Sequence, residues 1–321
     1  MKSDPACHEI IVVGGGPAGL AAALYLGRYR RQPLVIDSGE SRARWIPTSH
    51  NIPGFPAGIG GGAFLERLRA QALEYGAQIR AGSILSIKRL PRGFLLDLGN
   101  AQLQASFVLL ATGVADHLPP LRGAEPALLR SLLRICPICD GLEAEDKRIA
   151  VLGNGEKAER EAEFLRTYSA EVSYIRLRHD DFPAVSRPVQ EGGVEVIDAR
   201  LEQLEIEQSA LRLRLPAGGY RTFDVFYSAL GCTARTALAQ ELGAARDDNG
   251  ALLVDDHQRT SVEGLYAAGD VVRGLNQVVV AASEAAIAAT DIHNRLRAQG
   301  SLVAPRINAL RPRSRCPALP A

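Results

Sequence analysis

Apolar positions near the start of the chain follow the order strand, glycine-rich turn, helix, strand. Ile10–Val13 is a continuous apolar run, which is typical of a strand buried on both faces of a parallel sheet. A glycine-rich turn follows directly and leads into a helix of small residues over Leu20–Tyr29. A second apolar run over residues 33–36 ends in Asp37. This alternation predicts a βαβ unit of an α/β fold.

Further elements extend this first unit. Apolar residues at helical spacing predict a second helix over about Ala63–Tyr75, which Gly76 ends. Gly99-Asn100 lies between two short apolar stretches and predicts a two-residue hairpin. The apolar run Phe107–Leu110 then predicts another buried strand.

The same pattern begins a second time near residue 148. The segment Arg148–Leu152, apolar from Ile149 onward, leads into a second glycine-rich turn and a helix, and Val172–Ile175 follows as a strand. Leu211–Leu215 alternates apolar and basic residues, and Val225–Leu230 predicts a closing strand. The chain therefore contains a diverged internal repeat, in which each copy is one doubly wound nucleotide-binding unit.

After Gly243 the chain returns to the pattern of the first unit. Apolar runs at residues 252–254 and 264–270 precede an alanine-rich helix over about Gln277–Leu296. We therefore predict an α/β fold of two Rossmann-like doubly wound nucleotide-binding domains, the second inserted into the first. The predicted parts are a first domain over 1–115 and 245–298, an inserted domain over 116–244, and a flexible Pro- and Arg-rich tail over 299–321.

The first glycine-rich turn has the spacing Gly14-x-Gly16-x-x-Gly19. The first glycine permits the tight turn, the second lets a pyrophosphate approach the backbone, and the third allows close packing of helix on strand. The helix start offers free N–H groups to phosphates, and Asp37 is placed to accept ribose hydroxyls. A turn without function is the weaker alternative, because this one follows a strand and opens a helix.

The second glycine-rich turn reads Gly153-x-Gly155-x-x-Ala158. Alanine is accepted at its last position, but Glu156 places negative charge beside the expected phosphates. Two interpretations stay open, a second nucleotide site and a nucleotide fold that binds nothing.

Cys136 and Cys139 form a Cys-x-x-Cys pair. A zinc site would require two further ligands, and the sequence has no second Cys-x-x-Cys and no His pair at suitable spacing. Two inert buried thiols are another alternative. A thiol at the start of a helix is readily deprotonated at neutral pH, and Asp140 can accept or deliver the proton of each exchange step. We therefore favour thiol–disulfide redox chemistry with Cys136, Cys139 and Asp140 as catalytic residues, and no metal.

Net charge, hydropathy and cysteine content argue against nucleic acid, a membrane and a secreted disulfide framework. The formal net charge of the 321 residues is +1, which gives no field to attract nucleic acid or an anionic membrane. No apolar run reaches the ~20 residues that a membrane span needs. The five cysteines are too few and too scattered for a secreted disulfide framework. We expect a cytoplasmic protein without nucleic acid or membrane partners.

The motifs together resemble those of the low-molecular-weight thioredoxin reductases, from about Ile10 to Leu296. They are Gly14-x-Gly16-x-x-Gly19, Asn51-Ile52-Pro53-Gly54, Ala111-Thr112-Gly113, Cys136-x-x-Cys139-Asp140-Gly141, Gly153-x-Gly155-x-x-Ala158 and Leu265-Tyr266-Ala267-Ala268-Gly269-Asp270. The cysteine pair inside the second nucleotide unit is the specific element, because other flavin disulfide reductases carry theirs in the first. The resemblance also implies a homodimer whose domains rotate.

The resemblance implies FAD in the first domain. The residues that it implies for FAD are Gly14, Gly16, Pro17, Ala18, Gly19, Asp37, Asn51, Ala111, Thr112, Gly113, Gly269, Asp270, Gln277 and Val278. Asp270 would bind the ribityl chain, and the backbone at Gln277 and Val278 would face the flavin ring. Cys139 would take electrons from the flavin, while Cys136 would attack the disulfide of the partner.

The resemblance also implies NAD(P)H as the electron donor, held by Gly153, Gly155, Ala158, Arg176 and Arg178. Relatives carry His-Arg-Arg where they clasp the 2′-phosphate of NADPH, and this chain has Arg176-Leu177-Arg178. Two cations remain, but in a different pattern, so the choice between NADPH and NADH stays open; NADPH is the favoured expectation from the resemblance.

The leading hypothesis is an enzyme that passes electrons from NAD(P)H through FAD and the cysteine pair to a disulfide. The implied substrate is thioredoxin, a similar small redox protein or a small disulfide. One alternative is a dithiol oxidase that uses oxygen and needs no nicotinamide. The other is a flavin-binding redox sensor without turnover.

Overall fold

The computed structural model describes residues 6–178, 193–215 and 218–300. The part of the predicted tail beyond Gly300, including Cys316, lies outside the described residues.

Strands and helices alternate through both halves of the chain. The first group is β1 (Ala6–Val13), α1 (Pro17–Arg28), β2 (Leu34–Asp37), α2 (Gly61–Glu74), β3 (Gln78–Ala81), β4 (Ser86–Arg89), β5 (Phe94–Asp97), β6 (Gln102–Leu110) and β7 (Val114–Asp116). The second group is α3 (Ala124–Leu129), β8 (Leu133–Arg134), α4 (Pro137–Asp140), β9 (Ile149–Gly153), α5 (Gly155–Leu165), β10 (Val172–Leu177), β11 (Glu195–Ala199), β12 (Leu204–Ile206), β13 (Leu211–Arg214), β14 (Tyr220–Phe223), β15 (Val225–Ala229), β16 (Cys232–Ala234), α6 (Ala237–Glu241), β17 (Leu265–Ala267) and α7 (Val278–Ala298). Short 3-10 helices cover Arg42–Trp45, Leu142–Ala144 and Leu201–Gln203.

The first sheet has the strand order β3-β2-β1-β6-β5-β4. β17 also pairs with β6 and lies outside this order. β1 runs parallel to β2 and β6, and β17 runs parallel to the last residues of β6. The hairpin β5–β6 closes at Gly99-Asn100, as predicted, since Asp97 and Gln102 face each other across it. The carboxyl ends of β1, β6 and β17 therefore meet at one edge of the sheet, where nucleotides bind in such folds.

The apolar run in β1 is buried on both faces of the first sheet. Ile10 and Val12 pack into one core cluster with α1 and α7, while Ile11 and Val13 pack into a second cluster on the other face of the sheet. Successive side chains of a strand point to opposite faces, so the stretch Ile10–Val13, which is covered on both sides, has no polar position. The prediction of a buried parallel strand is confirmed.

The second sheet contains the parallel strands β11-β10-β9-β15-β8. It too is covered on both faces, with Ala150 and Leu152 in one cluster and Val151 in another. The alternating stretch that begins at Leu211 forms β13, the middle strand of a separate antiparallel sheet β12-β13-β14.

Two short strands connect the two sheets. β7 leaves the first domain and pairs in antiparallel fashion with β16, so that Asp116 faces Cys232. The chain then returns to the first sheet through β17. The second Rossmann-like domain is thus inserted into the first, as predicted. The boundaries that we place at residues 115/116 and 244/245 stay predictions.

The apolar runs after Gly243 form only short strand pairings. Leu252 makes only isolated bridges, to Arg246 and Val272. The apolar run over 264–270 gives a strand of three residues, Leu265–Ala267. Gly264 and Gly269 have φ angles of +82° and +80°, which an extended strand does not accommodate, and so they limit its length.

Helix α7 packs along α1 through small side chains. Ala281, Ala285 and Ala288 are buried in the same cluster as the alanines of α1, which allows the two helices to approach closely. Within the three described stretches of the chain, no helix joins the length and the apolar character that crossing a membrane requires.

We expect the substitution Asp291→Ala to lower the free energy of unfolding by about 2–4 kcal/mol. Asp291 on α7 is 8% exposed and accepts hydrogen bonds from the Tyr266 hydroxyl at 2.5 Å and from Arg259 Nε at 2.8 Å. Its loss leaves the buried Tyr266 hydroxyl without this acceptor. Urea unfolding measures the effect. Asp224→Ala, which removes an exposed partner of Arg148, is the control and should cost less than about 1 kcal/mol. Equal losses in the two variants would contradict the prediction.

Candidate active site

A cavity of about 690 Å³ opens at the carboxyl ends of β1, β6 and β17 and extends to the inserted domain. The residues predicted for FAD that line it are Gly14, Gly16, Pro17, Ala18, Asp37, Asn51, Ala111, Thr112, Gly113, Gly269, Asp270, Gln277 and Val278. Gly19 is not part of the lining. Cys136, Cys139 and Asp140 line the same cavity. The structure therefore brings the predicted redox pair to the predicted flavin site.

The first glycine-rich turn is shaped by close backbone contacts. A Cβ atom on Gly14 would lie 2.2 Å from the Ala111 carbonyl oxygen, and one on Gly19 would lie 1.9 Å from the Gly14 oxygen. Gly16 instead faces the cavity, where the nearest atom to an added Cβ is Ser41 Oγ at 3.2 Å. No side chain caps the start of α1, so its N–H groups are free to bind an anion. These features fit the pyrophosphate of FAD.

Asp37 lies at the end of β2, beside this turn. Its carboxylate accepts hydrogen bonds from the Gly39 N–H at 2.9 Å and from Arg69 Nη2 at 2.5 Å. It also occupies the space where a Cβ of Gly15 would be. The position fits the predicted contact with a ribose. Arg69 was not predicted, because it comes from α2 and no motif includes it.

Arg42 joins two carboxylates at the cavity wall. Its Nε and Nη2 atoms donate to Asp116 at 2.6 and 2.8 Å, and Nη1 donates to Asp270 at 3.2 Å. Burial raises the pKa of Asp270, while Arg42 opposes that effect. The Gly269 N–H, one residue earlier, donates to Glu284 Oε2 at 2.7 Å. Asp270 is thus held toward the cavity, as its predicted contact with FAD requires, by a cation that the sequence did not reveal.

The Cys136–Cys139 disulfide is formed and contacts Gln277, the residue that precedes α7. Gln277 Nε2 lies 3.4 Å from Cys139 Sγ and 3.6 Å from Cys136 Sγ. The amide is oriented by Asn51, which donates to Gln277 Oε1 at 3.0 Å, and Ser49 Oγ donates to Asn51 at 2.8 Å. Since disulfide sulfurs carry no hydrogen, the Gln277 amide is the donor in this contact.

Asp140 lies at the end of α4, next to Cys139. The Tyr227 hydroxyl donates to its Oδ1 at 3.1 Å, and Arg134 Nη1 lies 3.8 Å from the same atom. Burial raises the pKa of Asp140 to about 6, against the opposing effects of Arg134 and Tyr227. The carboxyl therefore exchanges its proton near neutral pH, which suits an acid and base beside a dithiol. Arg134 and Tyr227 were not predicted.

The second glycine-rich turn lies between β9 and α5, outside the cavity lining. A Cβ on Gly153 would lie 2.6 Å from Ala158 Cβ, so this glycine permits close packing of α5 on β9. Gly155 has a φ of +73°. Neither glycine nor Ala158 lines the cavity. Glu156 is exposed and pairs with Arg160 at 3.3 Å, which partly offsets its charge. The geometry of the turn is compatible with a nucleotide.

Arg176 and Arg178 lie at the carboxyl end of β10 and share one carboxylate. Arg176 Nε and Nη2 donate to Asp198 at 2.6 and 3.0 Å, and Arg178 Nη2 lies 3.0 Å from Asp198 Oδ2. The hydrogen bond from Arg176 lowers the pKa of Asp198. Asp198 is far along the chain, on β11, and only the pairing of Arg176 with Asp198 in the sheet places it here.

Comparison with known proteins shows the family of the chain. The sequence family described as "Pyridine nucleotide-disulphide oxidoreductase" matches residues 8–285. The thioredoxin reductase of Treponema pallidum (strain Nichols) is 32% identical over 302 residues, which cover 90% of this chain and 96% of that protein. The thioredoxin reductase of Mycolicibacterium smegmatis is 30% identical over 313 residues, which cover 93% and 100%. The solved structure of thioredoxin reductase from Giardia duodenalis has a TM-score of 0.79 and 28% identity, and covers 91% of this chain and 99% of that one.

The fold and site define a redox-active disulfide enzyme of the class that uses FAD and NAD(P)H. The predicted cofactors are thereby confirmed. Within that class, the chain belongs to the low-molecular-weight thioredoxin reductase family. The roles of individual site residues stay predictions.

We expect Gln277→Leu to lower the thiolate content of the reduced cysteine pair about tenfold at pH 7, because a hydrogen bond to a charged group contributes ~1.5 kcal/mol. The rate of alkylation by iodoacetamide after reduction measures this fraction, since the thiolate is the reacting form. Gln102→Leu, at an exposed position of β6, is the control and should react like the wild type. An unchanged rate in the Gln277 variant would show that its amide does not act on the sulfurs.

Proposed function

We propose that this enzyme carries electrons from NAD(P)H to the disulfide of thioredoxin or of a similar small redox protein. The observation that carries the proposal is the position of the Cys136–Cys139 disulfide, in the wall of the cavity that the FAD fingerprint also lines. The relatives that cover nearly the whole chain are themselves named thioredoxin reductases.

FAD bound in the cavity would supply a two-electron reservoir between the nicotinamide and the disulfide. Reduction of the Cys136–Cys139 disulfide takes two electrons and two protons and gives two thiols. Cys136 then attacks a sulfur of the substrate disulfide and forms a mixed disulfide with it, releasing the other substrate sulfur as a thiolate. Cys139 attacks Cys136, which frees the reduced substrate and restores the original disulfide. Asp140 holds and returns a proton in these steps.

The surface beside the disulfide supports a protein as the substrate. Ile138, between the two cysteines, is 54% exposed, and Leu142 is 63% exposed. Exposed large apolar side chains close in sequence to the reactive cysteines favour docking of a protein. The proposal also includes a homodimer and a cytoplasmic location. The free thiols of Cys7 and Cys232, within the described residues, are compatible with a reducing compartment.

The proposal is tested by adding NADPH or NADH to the purified flavoprotein without oxygen. We expect one of them to bleach the flavin, and oxidised thioredoxin to restore its colour. Unchanged spectra with both nicotinamides would overturn the proposal. Oxygen consumption with a dithiol and no nicotinamide would instead establish the oxidase alternative.

We expect Cys136→Ser to keep flavin bleaching by the nicotinamide but to lower steady-state reduction of thioredoxin by about a thousandfold or more, since no group remains to attack the substrate. Stopped-flow absorbance and a coupled thiol assay measure the two steps. Cys232→Ser is the control and should turn over normally, because this cysteine lies outside the cavity lining. Full turnover by the Cys136 variant would contradict the assigned role.

We expect kcat to fall as the pH rises above about 6, because the pKa of Asp140 is raised to about 6 and only its protonated form can donate. In Asp140→Asn this decline should be absent, and kcat at pH 6 should be about 100-fold lower. Tyr227→Phe removes a hydrogen bond that lowers the pKa of Asp140, so its decline should move to higher pH. A decline that is identical in all three proteins would exclude Asp140 as its source.

A further inference from the structure

The second nucleotide-binding unit carries an acidic residue where its two arginines meet. Asp198 on β11 pairs with Arg176 on β10 in the sheet. Its two carboxylate oxygens accept hydrogen bonds from Nε and Nη2 of that arginine at 2.6 and 3.0 Å. Arg178 Nη2 lies 3.0 Å from Asp198 Oδ2. Two guanidinium groups therefore share one carboxylate.

The cluster of Arg176, Arg178 and Asp198 lies at the position where this fold binds the adenosine ribose of a nucleotide. In a doubly wound unit the adenosine ribose lies outside the carboxyl end of the strand that follows the glycine-rich turn and its helix. That strand is β10 here, because β9, the turn and α5 precede it. The equivalent position of the first domain is occupied by Asp37, at the end of β2. Arg176, Arg178 and Asp198 thus lie where a 2′-hydroxyl or a 2′-phosphate would be recognised.

The charges and donors of the cluster are unfavourable for a 2′-phosphate. A guanidinium binds a phosphate best through two parallel N–H groups, and the Nε and Nη2 pair of Arg176 is already used by Asp198. Asp198 stays ionised, since its hydrogen bond with Arg176 lowers its pKa. Glu159 on α5 adds a further negative charge that acts on Arg176. A ribose 2′-hydroxyl, in contrast, can donate to a carboxylate.

We propose that Asp198 is the specificity-determining residue of the second nucleotide site. It withholds Arg176 and Arg178 from a 2′-phosphate and accepts the 2′-hydroxyl, so that NADH serves at least as well as NADPH. The inference rests on the proposed function, in which the inserted domain binds the nicotinamide nucleotide. The two arginines alone would favour NADPH, and Asp198 reduces that preference.

The test measures binding rather than turnover. Isothermal titration calorimetry of the FAD-loaded enzyme gives the dissociation constants of 5′-AMP and of adenosine 2′,5′-bisphosphate, which differ only in the 2′-phosphate. We expect Asp198→Asn to increase the preference for the bisphosphate about tenfold, because it removes one negative charge a few Å from the added phosphate. Asp198→Glu keeps the charge and should keep the wild-type preference.

Asp224→Asn is the matched control. Asp224 also binds an arginine through both oxygens, with Arg148 Nε at 3.0 Å and Nη2 at 2.6 Å, and its side chain is 40% exposed against 37% for Asp198. It precedes β15, at the amino end of the same parallel sheet, away from the expected ribose. This control should keep the wild-type preference. A tenfold gain in both Asn variants would mean a general charge effect and would overturn the proposal.

Three other results would also overturn the proposal. These are an unchanged preference in Asp198→Asn, a weaker binding of the bisphosphate by that variant, and the absence of binding of either probe by all the proteins. Thermal melting verifies that each variant is folded. Flavin bleaching by NADH or NADPH in the same preparations shows whether the proposed function holds when this specificity assignment fails.

Discussion

The contact between the Cys136–Cys139 disulfide and Gln277 joins the two domains at the point where chemistry is expected. The disulfide belongs to the inserted domain, whereas Gln277 precedes α7 of the first domain. Asn51 fixes the orientation of the amide from a third segment of the chain. A thiol–disulfide relay works only over contact distances. The position of the disulfide therefore determines that a group bound in this cavity can exchange electrons with it.

Charged groups around the cavity are paired in ways that serve the site. Arg42 binds Asp116 and Asp270, and so it links the cavity wall to the strand that leads into the inserted domain. Arg134 and Tyr227 hold Asp140 beside the cysteines. A buried carboxylate is costly unless a cation or a hydrogen-bond donor compensates it. These partners keep the carboxyl groups in place without removing their capacity to bind or to exchange protons.

Much of the architecture was predictable because it depends on local patterns. The apolar run of β1, the hairpin at Gly99-Asn100 and the alternation in β13 each follow from periodicity over a few residues. The chemistry of the cysteine pair followed from its spacing and from Asp140. The apolar run at residues 252–254 makes only isolated bridges, because an apolar run alone does not show whether a neighbouring strand is in place to pair with it.

The sequence by itself determined two nucleotide units, their nesting, the FAD fingerprint and the redox pair, since glycine sterics and thiol chemistry act over short stretches of chain. Tertiary structure alone decided which side chains modify those sites. Arg42, Tyr227 and Asp198 reach their partners from distant parts of the chain, and these long-range proximities leave no local pattern. The physical reason is that charge and hydrogen bonding depend on distance in space, which neighbouring residues of the chain do not encode.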